Sequence, residues 1–209
     1  MTKNRSFDHN ALLYDQWFEQ NMPIYQAELR AVREALPLGK FGVEIGVGTG
    51  RFAGRLGIEL GIEPSAPMGE IAAARGVTVI RAVAENIPLA AETVDFALMV
   101  TTICFFDDLF IVLTETHRIL KSGGMIVIAF IDAAGPLGPL YHAKKKNSPF
   151  YRDATFFSTA DVVELMRQTH FHDFSFRQTL FHKLAETGAE EPITDGHGQG
   201  GFVVISAIK

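Results

Sequence analysis

Between Val43 and Phe52 the chain reads VEIGVGTGRF, with glycines at every second position, Gly46, Gly48 and Gly50. Glycine reaches φ > 0 without penalty and, having no Cβ, lets a ligand come against the backbone. Val43 and Ile45 lead into the loop and Arg51-Phe52-Ala53 leaves it, so strand, tight turn and helix are expected. A nucleotide-like ligand suits such a turn. The spacing departs from the G-x-G-x-x-G of dinucleotide binding, because Arg51 stands in the third-glycine slot. The next apolar run, Gly57 to Ile62, ends in Glu63, 13 residues after Gly50. A carboxylate at a strand's carboxyl end can accept hydrogen bonds from both hydroxyls of a ribose. Pro64 and Ser65 follow, with Ser65 placed to cap a helix running to Arg75.

The elements that must hold these residues alternate in type. After the glycine loop come a strand at Ile58 to Ile62, a helix from Ser65 and a strand at Val77 to Ile80. Near-continuous apolar runs at Phe96 to Val100 and Met125 to Ile131 follow. Strand–helix alternation with apolar strands implies right-handed crossovers and a mostly parallel sheet covered on both faces, and ligands bind such sheets at the carboxyl ends of the strands. That geometry points to Glu63, Ala84-Glu85, Thr101-Thr102 and Asp132 as residues facing a site.

Together, E-x-G-x-G-x-G from Glu44 and a strand ending in Glu63 resemble the glycine motif and acidic ribose-binding position of class I S-adenosylmethionine-dependent methyltransferases. AENIPL (Ala84 to Leu89) resembles a segment of the small-molecule branch that contains the ubiquinone- and menaquinone-type enzymes. TVDFALMV (Thr93 to Val100) resembles that family's fourth strand, and the stretch from Thr116 to Gly124 its turn into the fifth. The resemblance covers roughly residues 40 to 131. It implies a Rossmann-like α/β sheet of seven strands, mostly parallel with an antiparallel final strand inserted between strands five and six, and helices on both faces. It implies S-adenosylmethionine as cofactor, held by Glu44, Gly46, Gly48, Gly50, Glu63, Pro64, Ser65, Ala84, Glu85, Thr101 and Thr102. It also implies methyl transfer to a small molecule, achieved mainly by alignment. Relatives carry an acidic residue before the position of Ala84 to read adenine; here it is Val83, leaving the backbone of Ala84 or Glu85 to that task.

Two further segments bear on the site. Residues 1–22 form an arm whose helix face carries aromatic residues, and in relatives such an arm closes over the cofactor, which makes Tyr14 and Trp17 candidates. Residues 132–157 interrupt the alternation with Gly135-Pro136, Gly138-Pro139 and Lys144-Lys145-Lys146, as a lid leaving strand five would. Tyr141, His142, Tyr151, Phe156 and Phe157 are its substrate-facing candidates, and His197 joins them from the glycine-rich GHGQGG near the end. If the acceptor needs a base, His142, His197 and Tyr14 are the candidates.

Bulk properties narrow the function. At 209 residues and 47% hydrophobic content the chain fits a single domain spanning 1–209. A net charge of −5 offers no footprint for nucleic acid. No apolar leader or run of 18 apolar residues appears, so no membrane partner is expected and the cytoplasm is the default location. The single cysteine, Cys104, permits a reducing compartment. No histidine or cysteine spacing suits a metal, and no G-x-S-x-G suggests a nucleophile. Two other readings are an aminopropyl transferase, weighed because of Asp107-Asp108, and a cofactor-binding sensor without turnover.

Overall fold

The computed structural model describes residues 5–188 and 190–209. One sheet runs through it, in the order β3-β2-β1-β4-β5-β8-β6-β7. Its parallel half consists of β1 (Gly42–Ile45), β2 (Leu60–Ile62), β3 (Thr78–Ile80), β4 (Val94–Val100) and β5 (Leu120–Ile131). β6 (His172–Thr179), β7 (Thr194–Asp195) and β8 (Phe202–Ile208) complete it, with β8 antiparallel to both β5 and β6. The final strand thus inserts between the fifth and sixth, as the family resemblance implies. The expected count of seven strands is corrected to eight: β7 is a two-residue edge pairing on β6, braced by an Arg177–Asp195 ion pair at 3.1 Å.

Alternate residues of the central strands bury themselves in opposite layers. Ala97, Met99, Ile126 and Ile128 pack with Val112, Leu113, Val162 and Met166, from helices α5 (Leu109–Ile119) and α7 (Thr159–Gln168). Leu98, Val100, Val127 and Ala129 pack on the other face with Val32 and Phe52, from α2 (Met22–Ala35) and α3 (Arg51–Leu56). Burial of both faces is why these strands read as continuous apolar runs.

Pro23 lies in the first turn of α2, a position that its missing N–H suits. α5 starts at Leu109, where Asp108 accepts from the amides of Phe110 and Ile111 at 2.9 and 3.2 Å. His117 is half-buried with its ring edge against Phe171. The 132–157 segment contains α6 (Gly138–Lys144) and a short 3-10 turn at Lys145–Asn147, so it is a partly helical cover and not an extended loop.

A complete capping box starts α7: Ser158 Oγ accepts from the Asp161 amide at 3.2 Å, and the Asp161 carboxylate accepts from the Ser158 amide at 3.0 Å. Ser158→Ala is expected to cost about 1 kcal/mol, roughly a 2–4 °C fall in melting temperature. An unchanged melting curve would show that the cap is dispensable.

Candidate functional site

The glycine loop is tied to the end of β2. The amides of Gly46 and Val47 donate to the Ile62 carbonyl at 2.8 and 3.0 Å, and Gly50 donates back to Val47 at 2.9 Å. Gly46 and Gly48 take left-handed φ of +70° and +54°, which only glycine adopts cheaply. Glu63 closes the loop from below. Its Oε2 accepts from the Gly48 amide and its Oε1 from the Ser65 amide, both at 2.9 Å. Each carboxylate oxygen keeps a further lone pair, and the two together match a vicinal diol. Burial pushes the Glu63 carboxyl up, and the two amide hydrogen bonds oppose that shift.

A cleft opens above this arrangement. Gly46, Gly48, Glu63, Pro64, Ala84, Glu85, Thr101, Thr102 and Tyr14 all line it, joined by Phe7, Met68, Val83 and Phe105. Gly48 faces its open side: a Cβ there would meet nothing closer than the Met68 methyl at 3.4 Å and the Tyr14 ring at 3.9 Å. Val83 is 46% exposed and offers an apolar wall to the cleft. Glu85 Oε1 is engaged by the Asp107 amide at 2.9 Å, which reduces its capacity to accept from a ligand.

The other expected cofactor residues lie elsewhere. Glu44 is 2% exposed and sits beneath the loop, where burial pushes its carboxyl up to about 8 against a hydrogen bond from the Ala53 backbone. Gly50 faces α4 (Ala66–Ala74), and a Cβ would lie 3.0 Å from Ala72. Ser65 contributes its amide to Glu63, but its hydroxyl is buried without a partner and does not cap α4. Trp17 lines a neighbouring cavity instead of the cleft. Asp132 accepts from Thr159 Oγ1 at 2.8 Å and from the Ala134 amide at 2.9 Å; it braces the start of the 132–157 segment and lines neither space.

The arm is helix α1 (Arg5–Gln20), and an ionic latch holds it over the loop. Asp15 accepts from Arg51 Nε at 2.8 Å and Nη2 at 2.6 Å, and from Arg75 Nη1 and Nη2 at 2.9 and 2.8 Å. Burial alone would push the Asp15 carboxyl up, but the two guanidiniums outweigh that and hold it far below the usual range. A depressed carboxylate contributes stability above its ordinary pKa and loses it as pH falls, so the latch weakens on acidification. With the arm in place the cleft holds about 90 Å³ of free space.

Beyond Tyr14, Thr101 and Phe105, which border both spaces, lies a second cavity of about 480 Å³. Trp17, Phe18, Tyr141, Phe150, Tyr151, Phe156 and Phe157 wall it, with Glu28 and Lys144. Tyr141, Tyr151, Phe156 and Phe157 are thus brought together as expected. His142 is exposed with its ring against Phe156, and His197 is exposed against Phe176; neither lines a cavity. Thr101 stands between the two spaces at φ +50°, unusual for a non-glycine residue, and hydrogen-bonds the Tyr14 side chain.

Sequence reasoning missed Glu28 and Asp15. A signal existed for Glu28: it falls on the buried stripe of α2 formed by Tyr25, Leu29 and Val32, where an acid is out of place. Among the described residues, no group of three or more histidine, cysteine or acidic side chains could hold a metal, and no helix is long and apolar enough to cross a membrane.

A family profile described as "Methyltransferase domain" matches residues 43–128, the stretch from the glycine loop into β5. An uncharacterized protein of Methanocaldococcus jannaschii is 41% identical over 203 residues, spanning 97% of this chain and 98% of that one. A Thermotoga maritima crystal structure, described as an S-adenosylmethionine-dependent methyltransferase and possible histamine N-methyltransferase, superposes with a TM-score of 0.96 at 47% identity, over 99% of both chains. An Archaeoglobus fulgidus S-adenosylmethionine-dependent methyltransferase shares the fold at 16% identity, with a TM-score of 0.72 over 94% of this chain and 99% of that one. With the glycine loop and Glu63 arranged as described, the chain belongs to the class I S-adenosylmethionine-dependent methyltransferases, and its cofactor is S-adenosylmethionine.

Proposed function

We propose that this enzyme methylates a small molecule, working in the cytoplasm as one domain with the acceptor in the aromatic cavity. The observation that carries the reading is the adjacency of two spaces of different chemistry, a polar cleft at the glycine loop and an apolar cavity, sharing Tyr14, Thr101 and Phe105 as their border. Bound S-adenosylmethionine supplies a methyl group already activated by its positive sulfur. Glu63 is assigned the ribose hydroxyls, Gly46 and Gly48 the close backbone approach, and Val83 with Ala84 the adenine. Tyr14 and Thr101 position the acceptor in line, and the arm and lid exclude water. The enclosure, at 480 Å³, suits a compact acceptor and not a polymer. The acidic net charge is also a poor match for nucleic acid. The description of the similar Thermotoga maritima protein as a possible histamine N-methyltransferase accords with a small acceptor.

The test is a panel of small amines, phenols and quinone precursors, read by formation of S-adenosylhomocysteine. Turnover is expected with at least one class. Labelled methyl appearing in tRNA or protein, with none in any small molecule, would overturn the reading.

A further inference from the structure

Glu28 is 3% exposed and lies on the wall of the aromatic cavity. No hydrogen bond or ion pair to its carboxylate occurs among the described residues, although buried carboxylates are ordinarily paired. Nothing in the packing of α2 requires an acid there, since its neighbours on the buried stripe, Tyr25, Leu29 and Val32, are held by apolar contacts. The carboxylate faces a space walled by the rings of Tyr14, Trp17, Tyr141, Tyr151 and Phe156. Aromatic faces attract cations, and a lone carboxylate in such surroundings lacks a positive counterpart.

We propose that the cavity is built for an organic cation: an amine acceptor binds as its ammonium against Glu28 with the aromatic rings around it, gives up its proton to that carboxylate, and its freed lone pair then forms the N–C bond as the methyl–sulfur bond breaks and its electrons stay on sulfur. This deepens the methyl-transfer reading above and rests on it. Glu28 touches the acceptor in this assignment, setting its class through charge and taking its proton. A phenol or quinone supplies no positive charge to favour the ionised carboxyl and is disfavoured.

Proton linkage follows. Burial pushes the Glu28 carboxyl up to about 8. The titratable groups around it are Tyr14 from α1, Cys104 after β4, Tyr141 and Lys144 from α6, and Tyr151 in the lid. Burial raises the three tyrosines, which therefore stay neutral at pH 7, and Lys144 lies over the Tyr141 ring at 5.6 Å. Without a cation, Glu28 is mostly protonated at neutral pH. An ammonium favours the carboxylate, so binding at pH 7 releases a proton, and the release fades as pH rises past 8.

The experiment is calorimetry on the full chain with S-adenosylhomocysteine bound, using phenethylamine, its N,N,N-trimethyl derivative, and 2-phenylethanol as the uncharged match. The two cations are expected to bind roughly tenfold or more tighter than the alcohol. Repeating the titration at pH 7 in buffers of different ionisation enthalpy should reveal proton release. Glu28→Gln should remove both the preference and the release while leaving S-adenosylhomocysteine affinity and the melting temperature nearly unchanged. Equal binding of amine and alcohol, binding of neither cation, or a preference that survives Glu28→Gln would overturn the proposal. Retained S-adenosylhomocysteine binding in those cases leaves the methyltransferase reading standing; its loss from the unmutated protein would remove both.

Discussion

Glu63→Ala is expected to weaken S-adenosylmethionine binding by about a hundredfold or more. The unmutated carboxylate offers one free lone pair on each oxygen to the ribose diol while Gly48 and Ser65 hold it in place. A hydrogen bond to a charged group contributes roughly 1.5–3 kcal/mol, so losing two removes on the order of 3 kcal/mol, which is the hundredfold. The same substitution strips two backbone N–H groups of their acceptor, and an unsatisfied buried donor costs roughly 1–3 kcal/mol. Because the Gly48 amide borders the cleft, water can replace the carboxylate there and part of that cost is recovered. A modest fall in melting temperature should therefore accompany the large fall in affinity. Glu85→Ala provides the contrast: its carboxylate is engaged by the Asp107 amide, and the dissociation constant should move far less. Calorimetry on the three proteins checks this, with a nicotinamide dinucleotide titrated into the unmutated chain as a control that should show no comparable binding. Affinity for S-adenosylmethionine unaffected by Glu63→Ala would detach β2 from the cofactor site.

Much of this site was legible in the sequence because its determinants are local. The turn at Gly46 to Gly50 needs glycine for backbone reasons, and Glu63 follows directly from the end of an apolar strand, so both could be located without knowing what packs against them. The mostly parallel sheet followed from strand–helix alternation, and the insertion of the last strand from the resemblance. Where the remaining expected residues lie depends on which side of a strand or helix faces which layer. Glu44 precedes the loop by two residues, yet its side chain goes beneath it to the Ala53 backbone. Trp17 and Tyr14 are one helical turn apart on α1, but the border between cleft and cavity falls at Tyr14 and leaves Trp17 in the cavity alone. The contribution of Asp15 arises from two arginines distant in sequence, Arg51 and Arg75, converging on one carboxylate. The extra strand β7 is two residues long, too short for any alternating pattern to register.

The glycines of the loop should separate by function when substituted. Gly46→Val is expected to damage the fold. At φ +70° any side chain is strained, by roughly 1–2 kcal/mol, and a Cβ would lie 2.1 Å from Thr102 Oγ1, an overlap relieved only by moving the end of β4. Overpacking of this kind costs roughly 1–3 kcal/mol, so the total approaches about 3 kcal/mol and a melting temperature lower by about 10 °C. Gly48→Val carries the conformational strain at φ +54° without the overlap, since Met68 and Tyr14 are at ordinary contact distance. Its melting temperature should fall less. Its cofactor binding should nonetheless be abolished, because the branched side chain would project into the space between the loop, Met68 and Tyr14 that the ligand needs. Thermal melting and calorimetry on both variants give four numbers. The expected pattern is a larger loss of stability for Gly46→Val, and for Gly48→Val a loss of binding out of proportion to its loss of stability. If Gly48→Val binds S-adenosylmethionine normally, the glycine loop shapes the turn but does not contact the cofactor, and Glu63 would have to hold the nucleoside from below without it.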